Sequence, residues 1–223
     1  MFIYSNLATS IDGKIATAGR EQFPLGTPED LKQMIVLRKE ADAILMGAST
    51  LRAYRKPLKV KGRDPQPYNV IVSSGLEGIS PDWPFFQAAD VRRILFVSKS
   101  LEASWLKEFQ KTSEVVQLRP PVGNDSIASQ MVKHLSLKGI EKLLVEGGGS
   151  VMWDFSSQNL IDEYHVTITP RVLGGTEAPT LVDGKGFTPD QVLNLKLKDC
   201  RTVGNEIYLV YSKTESRGRT LPE

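Results

Sequence analysis

The stretch KLLVEGGGS (residues 142–150) places a short apolar run, an acid and three consecutive glycines directly before a predicted helix. Glycine at a strand-to-helix turn allows a ligand to approach the backbone closely, because it has no side chain. The amide groups at the start of the following helix favour an anion such as a pyrophosphate. A tight turn without a ligand is the alternative, but three glycines exceed what a turn needs. We therefore expect a phosphate-binding turn at Gly147, Gly148, Gly149 and Ser150.

On both sides of this turn, short apolar runs alternate with amphipathic segments. The predicted strands before residue 160 are 2–7, 43–46, 69–72, 94–97, 115–118 and 143–145, and the predicted helices are 28–39, 101–111, 126–137 and 151–156. This alternation is typical of βαβ units and a parallel sheet. The later strands, 164–169, 192–197 and 206–211, have no helix between them, which indicates antiparallel pairing. The predicted fold class is α/β: a three-layer domain with one mixed, mostly parallel sheet flanked by helices and antiparallel strands at the C-terminal end.

The composition of the 223 residues is that of a globular domain, with 40% hydrophobic and 24% charged residues. The net charge of +2 does not indicate a nucleic-acid partner. No apolar run approaches the roughly 18 residues of a membrane span. The single cysteine, Cys200, excludes an internal disulfide or a Cys-rich zinc site, and no metal is expected. We expect a cytoplasmic protein that acts on a small molecule, with one domain over residues 1–212 and a loose C-terminal tail over 213–223.

Two further strand ends carry residues suited to a nucleotide. Gly47, Ser49 and Thr50 offer a close approach to the backbone and two hydroxyl groups, although an ordinary helix N-cap is the alternative. Ser73 and Ser74 follow the next strand, where an NAD enzyme would place an acid on the ribose 2′-hydroxyl. Hydroxyl groups without an acid favour NADPH, although serine is also a common turn residue. With the glycine turn, these ends predict a dinucleotide across the carboxyl ends of the strands.

A third turn is formed by Asp12 and Gly13. Asp12 has three interpretations: a proton donor, a substrate ligand, or a residue that only forms the turn. From the residues alone, the turn-forming interpretation is favoured.

Four segments, taken in order, carry a resemblance to the riboflavin-biosynthesis pyrimidine reductases, and it spans about residues 1–211. The segments are LATSIDGK (7–14), LRKEADAILMGAST (37–50), LVEGGG (144–149) and LIDEYH with TPRVLGG (160–165 and 169–175). The resemblance implies a dihydrofolate-reductase-like fold and an NADPH-dependent reductase, usually a homodimer. In that family, hydride transfer reduces the ribosylamino side chain of a phosphorylated pyrimidine to its ribitylamino form.

The resemblance also implies roles for individual residues. On the cofactor side they are Ala8, Gly47, Ser49, Thr50, Ser73, Ser74, Gly147, Gly148, Gly149 and Ser150. On the substrate side, Glu146 orients the substrate and Arg38 binds its phosphate. Leu58 is the last residue of YRKPL (54–58), the segment that follows the Thr50 turn, and it is expected to contact the substrate. Asp12 is the second candidate, after Glu146, for a catalytic role, in handling a proton.

Two segments depart from the family pattern, and both fall on the substrate side. YRKPL (54–58) has basic residues where an acidic pair is common, and EQFPL (21–25) stands where a Ser-x-Trp is common. The basic residues of 55–63 either bind a phosphate or form a solvated loop. The departures leave three alternatives open: a reductase of a pterin or dihydrofolate-like ring, a non-catalytic NADPH-binding protein, and a plain structural domain.

Overall fold

A nine-stranded sheet runs through the computed structural model, which describes residues 1–21, 23–123 and 125–214. Its strands are β1 (Phe2–Thr9), β2 (Ala43–Gly47), β3 (Tyr68–Ser73), β4 (Arg93–Val97), β5 (Glu114–Gln117), β6 (Lys142–Val145), β7 (Glu163–Ile168), β8 (Leu195–Val203) and β9 (Glu206–Lys213). The helices are α1 (Pro28–Glu40), α2 (Ala48–Tyr54), α3 (Pro84–Gln87), α4 (Ala103–Gln110), α5 (Ile127–Leu137) and α6 (Gly149–Ser156).

The strand order in the sheet is β5-β4-β3-β2-β6-β1-β7-β9-β8. The first seven strands of this order are parallel, and β9 runs antiparallel to both β7 and β8. Every residue of β2 and β4 is buried, as expected for parallel strands that are covered on both faces. The predicted fold class, a mixed and mostly parallel sheet with antiparallel strands at the C-terminal end, is confirmed.

Helices cover both faces of the sheet, so that two hydrophobic cores form. One core contains Met131 and Leu135 of α5 and Phe155 of α6. The other contains Leu37 of α1 and Phe109 of α4, together with residues of α2 and α3. The sheet is therefore the middle layer of three, as predicted.

Local sequence signals explain where helix α1 begins. The hydroxyl of Thr27 accepts a hydrogen bond from the Glu29 amide at 3.3 Å, and Pro28 occupies the first helical position. A hydroxyl cap followed by proline is a typical helix start, because proline lacks the N–H that would otherwise go unpaired. This start places the first turn of α1, which includes Asp30, beside the C-terminal strands.

The structure differs from the prediction in two elements. Helix α3 was not predicted, because its four residues are too few to show a helical period. Strand β8 covers Leu195–Val203 rather than residues 192–197, because it is polar and almost wholly exposed and its pairing with β9 sets its bounds. Strand β9 includes Lys213, so the expected tail overlaps the sheet there, and its residues 215–223 lie outside the described part of the chain.

Phe155→Ala tests the core under α6. The Phe155 side chain has no exposed surface, so its truncation leaves a cavity that the neighbours fill only in part. We expect the free energy of unfolding to fall by about 3–5 kcal/mol, measured by guanidinium denaturation with an unchanged m value. Leu137→Ala is the control, because Leu137 is 81% exposed and its truncation should change stability by less than about 0.5 kcal/mol. Equal losses in the two variants would contradict this packing.

Candidate functional site

A cavity of about 1290 Å³ opens at the carboxyl ends of the central strands. Its wall includes Ala8 from β1, Gly47 from β2, Ser73 from β3 and Glu146 just after β6. In open α/β sheets, ligands bind at this edge of the sheet. Sites for one small molecule measure roughly 300–1,000 Å³, so this cavity has room for two ligands side by side.

Two glycines of the 147–149 turn, Gly147 and Gly149, are required by a close contact or by the backbone conformation. Gly147 has a φ of +79°, and a Cβ atom there would lie 2.8 Å from Leu7 Cδ2. A Cβ at Gly149 would lie 2.3 Å from Asp183 Oδ2. Gly148 has more space, and its backbone lies on the cavity wall as the N-cap of α6. The turn therefore presents backbone rather than side chains to the cavity.

A hydrogen bond joins this turn to the neighbouring strand end. The Gly47 N–H donates to the Gly147 carbonyl oxygen at 2.9 Å. Gly47 is the N-cap of α2 and Gly148 the N-cap of α6, and neither cap is satisfied by a side chain. Two helix starts with free amide groups therefore lie next to each other on one cavity. This arrangement suits an anion with two phosphate groups.

Nine of the ten residues expected on the cofactor side line the cavity. They are Ala8, Gly47, Ser49, Thr50, Ser73, Ser74, Gly148, Gly149 and Ser150. The tenth, Gly147, lies directly behind the wall and contributes the carbonyl group that Gly47 binds. The two serines at the end of β3 differ, because the Ser73 hydroxyl donates to the Gly75 carbonyl group while Ser74 is exposed.

Arg38 and Glu146 form a buried ion pair beneath the cavity. The Arg38 Nε and Nη2 atoms each donate to one Glu146 carboxylate oxygen at 2.6 Å, and the two side chains are only 12% and 10% exposed. Glu146 lines the cavity, whereas Arg38 does not. The guanidinium group of Arg38 is held by Glu146, and the phosphate contact implied for Arg38 stays a prediction.

Asp12 holds a loop instead of lining the cavity. Its carboxylate accepts hydrogen bonds from the Leu173 amide at 3.0 Å and the Gly174 amide at 2.7 Å. The Ser10 hydroxyl and these two amides lower the pKa of Asp12 to about 2. A carboxyl group with such a pKa carries no proton to donate at neutral pH. The geometry corresponds to the turn-forming interpretation and not to proton handling.

Leu58 also lies away from the cavity. Its side chain is 3% exposed and belongs to the core on the α1 face of the sheet. Its amide donates to Asn69 Oδ1 at 2.7 Å. The substrate contact expected for Leu58 is therefore corrected, because the loop turns this residue into the core.

The basic loop after α2 has structural partners of its own. The Arg55 guanidinium carbon lies 4.9 Å from the centroid of the Trp83 ring. Lys59 Nζ lies 2.7 Å from Asp90 Oδ1. Arg63 donates to carbonyl groups at the C-terminal end of α1, where a cation is favourable. None of these basic residues lines the cavity, so the solvated-loop interpretation fits their placement.

Residues of EQFPL (21–25), the other segment that departs from the family pattern, line the cavity. Phe23 and Leu25 lie on its wall, together with Arg171 from the loop after β7. The Arg171 guanidinium carbon lies 4.7 Å from the Phe23 ring centroid, and its Nη1 donates to the Pro24 carbonyl group at 3.0 Å. Phe23 therefore provides an aromatic wall that is held in place by a cation.

The charged residues of the cavity wall that the sequence analysis gave no role include Arg20, Asp30, Arg171 and Asp183. Asp30 stands in the first turn of a predicted helix, where an acid is ordinary because it favours the helix dipole. Arg171 lies in the TPRVLGG segment (169–175), for which no individual role was assigned, and Asp183 lies in the loop region that follows it. Long loops are often functional, and this was the available signal for Asp183, whereas Arg171 was also marked by its family segment.

Both histidines have carboxylate neighbours outside the cavity wall. His134 Nε2 lies 3.0 Å from Glu114 Oε1, and His165 Nε2 lies 3.3 Å from Glu163 Oε2. Over residues 1–21, 23–123 and 125–214, no group of three or more His, Cys, Asp or Glu side chains could hold a metal ion. Within the same ranges, no helix has both the length and the apolar character to cross a membrane.

The sequence profile of the RibD C-terminal domain matches residues 1–209. This chain belongs to the RibD C-terminal domain family. A 2,5-diamino-6-ribosylamino-4(3H)-pyrimidinone 5′-phosphate reductase from Archaeoglobus fulgidus is 32% identical over 212 residues, which cover 90% of this chain and 90% of that protein. The enzyme of the same name from Methanothermobacter thermautotrophicus is 31% identical over 215 residues, or 95% of this chain and 97% of its own length. The family membership expected from the four sequence segments is thereby confirmed.

Among solved structures, RibD from Acinetobacter baumannii has a similar fold. The TM-score is 0.78 at 18% sequence identity, over 96% of this chain and 58% of that longer chain. The likeness confirms the dihydrofolate-reductase-like fold of the RibD C-terminal domain family.

Arg38→Met tests the buried ion pair. The substitution leaves the Glu146 carboxylate buried without its partner, so we expect the free energy of unfolding to fall by about 3–5 kcal/mol. Adding Glu146→Leu should restore more than half of that loss, because the unpaired charge is removed. Chemical denaturation provides the measurement.

Lys32→Met is the matched control for this pair. Lys32 pairs with Glu29 on the same helix at 2.7 Å, but the side chains are 70% and 48% exposed. An exposed pair of this kind is worth less than about 1 kcal/mol. If Arg38→Met cost no more than Lys32→Met, the pair beneath the cavity would have no special importance for stability.

Proposed function

We propose that this chain is an oxidoreductase that reduces 2,5-diamino-6-ribosylamino-4(3H)-pyrimidinone 5′-phosphate with NADPH. The observation that carries the proposal is the pair of uncapped helix starts, at Gly47 and Gly148, on one cavity of two-ligand size. Relatives that are 32% and 31% identical over most of both chains bear the name of this reductase. The family and the cavity thus support the same reaction class.

The residues at the glycine end of the cavity fit a nicotinamide dinucleotide. Backbone amides at Gly148, Gly149 and Ser150 are suited to the pyrophosphate, because they begin α6. A Cβ atom at Gly148 would meet only Ile15 Cδ1, at an ordinary contact distance of 3.7 Å. Toward the adenosine end, the Ser74 hydroxyl and the Arg52 guanidinium group line the wall and suit a ribose phosphate. When bound, NADPH supplies the hydride.

The other end of the cavity suits the pyrimidine substrate. Its wall contains aromatic and apolar side chains beside cations, namely Phe23, Leu25, Met34, Tyr54 and Arg171. The rings and aliphatic groups can contact the heterocycle, and Arg171, which lines the wall where Arg38 does not, can bind the phosphate. The Glu146 carboxylate, held by Arg38, has a fixed orientation for the substrate amino groups.

The arrangement contributes to the rate chiefly through position. Two ligands held against each other in one cavity react as if in a single molecule, and this alignment is worth several kcal/mol of the barrier, up to about 7–11 kcal/mol in the best cases. The residues around both ends of the cavity also remove water from the ligands. A rigid Glu146 also favours the alignment of the substrate, because a side chain that is already fixed loses little entropy when the substrate binds.

A Ser74→Asp variant tests the cofactor assignment. We expect the natural protein to convert the pyrimidinone phosphate to its ribitylamino product, with a kcat/KM for NADPH at least about tenfold above that for NADH, a difference of about 1.4 kcal/mol. Asp at position 74 should repel the additional phosphate and accept the ribose hydroxyl, so the preference should shift toward NADH. Stopped assays with mass spectrometry of the product provide the measurement, and quenching of Trp153 fluorescence reports nucleotide binding.

Ser98→Asp is the control for the cofactor variant. Ser98 follows β4, the strand beside β3, and it is exposed without lining the cavity. This variant should keep the natural preference. Binding of neither nucleotide to the natural protein would refute the reductase proposal, and turnover of a pterin but not of the pyrimidinone would refute the substrate.

We also propose that two copies of the chain form a homodimer. Strand β8 pairs with β9 on one side and forms the edge of the sheet on the other. Leu197 of this strand is 49% exposed. Arg201 Nη2 of β8 donates to Gln33 Oε1 of α1 at 2.6 Å, next to a helix on which Ile35 and Val36 are 39% and 51% exposed. An unpaired edge beside exposed apolar side chains favours association with a second copy.

Sedimentation equilibrium tests this dimer. The expected mass is twice the chain mass of 24.7 kDa. Leu197→Lys should shift the mass to that of one chain, because lysine on an edge strand opposes pairing. Val122→Lys is the control. Val122 is 75% exposed and lies between β5 and α5 rather than on β8, so this variant should leave the dimer intact. A single-chain mass for the natural protein would contradict the proposal.

A further inference from the structure

Asp30 lies on the cavity wall at the substrate end, among apolar side chains. Its neighbours on the wall include Leu25, Leu31 and Met34. A Cβ atom at Gly26 would lie 2.2 Å from Asp30 Oδ2, so the absence of a side chain at that glycine leaves the space that the carboxyl group occupies. The Asp30 carboxyl group is thus half-buried, and it occupies the space that the missing side chain at Gly26 leaves free.

The first turn of α1 is fixed to the C-terminal strands by a second acid. Glu206 of β9 is 1% exposed. Its carboxylate accepts hydrogen bonds from the Thr27 amide at 2.8 Å and from the Thr27 hydroxyl at 2.7 Å. It also accepts one from the Tyr208 hydroxyl at 2.7 Å. These bonds hold the start of the helix that carries Asp30.

Asp30 has few interactions that stabilise its charged form. Burial raises the pKa of Asp30 above its ordinary value, a hydrogen bond from the Thr167 hydroxyl opposes this, and the negative charge of Glu206 adds to it. Thr167 of β7 is itself 2% exposed. The titratable groups that face Asp30 are Glu206 and Tyr208 of β9; Thr167 does not titrate. On the same helix, Glu29 is paired with Lys32.

The other acids of the cavity wall are held by hydrogen-bond donors. Glu146 accepts two charge-assisted hydrogen bonds from Arg38. Asp183 accepts hydrogen bonds from the amide and the hydroxyl of Thr180. The Thr17 hydroxyl lowers the pKa of the exposed Glu21. Asp30 accepts a hydrogen bond from the neutral Thr167 hydroxyl, and burial raises the pKa of its carboxyl group.

We propose that Asp30 is the catalytic acid that protonates the substrate when its aminoribose ring opens. The proposal rests on the proposed function. Reduction of a ribosylamino to a ribitylamino group consumes one hydride and one proton. The bond between C1′ and the ring oxygen breaks, its electron pair takes the proton from Asp30, and the nitrogen lone pair forms a C=N bond. On arrival of the hydride at C1′, the C=N electron pair returns to nitrogen, and solvent then reprotonates Asp30.

Asp30→Asn tests this role, because the amide keeps the shape of the side chain but has no acidic proton. We expect kcat for the pyrimidinone phosphate to fall about 100- to 10,000-fold, with a smaller change in KM and an unchanged dissociation constant for NADPH. Asp30→Glu should regain part of the lost kcat. Glu29→Gln is the matched control, since Glu29 is the adjacent acid, is exposed and does not line the cavity; its kcat should equal that of the natural protein.

The pH dependence provides a second test. The natural protein should lose kcat/KM as the pH rises through the raised pKa of Asp30, and Asp30→Asn should lack this limb. Glu206→Gln removes the neighbouring negative charge, so it should move the limb to lower pH without abolishing it. A limb that disappears in Glu206→Gln but persists in Asp30→Asn would overturn the assignment.

Carbon-13 NMR of protein labelled at the aspartate carboxyl carbons reports on Asp30 without any turnover. The Asp30 signal is identified by its loss in Asp30→Asn, and its titration midpoint should lie above the ordinary value of about 3.9. A midpoint at or below that value, a kcat of Asp30→Asn within threefold of the natural protein, or loss of NADPH binding in that variant would each overturn the inference alone. Absence of turnover by the natural protein would instead overturn the proposed function.

Discussion

The hydrogen bond between the Gly47 amide and the Gly147 carbonyl oxygen is the contact on which the site depends. Strands β2 and β6 are parallel neighbours, so they end at the same edge of the sheet and each continues into a helix. The missing side chain at Gly47 favours close packing of the two helix starts, because a Cβ atom there would lie 3.2 Å from Val151 Cγ2 of α6. A Cβ atom at Gly147 would lie 2.8 Å from Leu7. The absence of side-chain atoms at this edge therefore produces both the packing and the cavity.

Charged groups beneath and beside the cavity are arranged in pairs that connect distant parts of the chain. Arg38 and Glu146 are 108 residues apart, and both of their hydrogen bonds measure 2.6 Å. A buried pair of this kind gives little net stability, because removal of the charges from water offsets their attraction. Its benefit is a fixed orientation. Glu146 is held rigid at the cavity, while Arg38 anchors it from α1.

The sequence predicted the parts of the structure that depend on local pattern. Strands β2 and β4 were predicted from continuous apolar runs, and the glycine turn from the local motif KLLVEGGGS (142–150). Strand β8 was misplaced, because its polar and exposed residues follow the pairing with β9 rather than any period of their own. The ion pair of Arg38 with Glu146 was not predicted for a related reason: the two residues are 108 positions apart along the chain. Asp30 was overlooked because an acid in a first helical turn is ordinary, and only the fold shows which acid faces a cavity.

The bond between Thr27 and Glu206 also affects the order in which the molecule can be completed during synthesis. The two residues are 179 positions apart, and ribosomes add about 5–20 residues per second. The start of α1 therefore waits on the order of 10–40 s for its partner strand to be made. Until then the nascent chain can build the central parallel strands and the glycine turn of the cavity, but the first turn of α1 on the opposite wall has no anchor. Completion of these two walls is thus separated in time by the length of the chain itself.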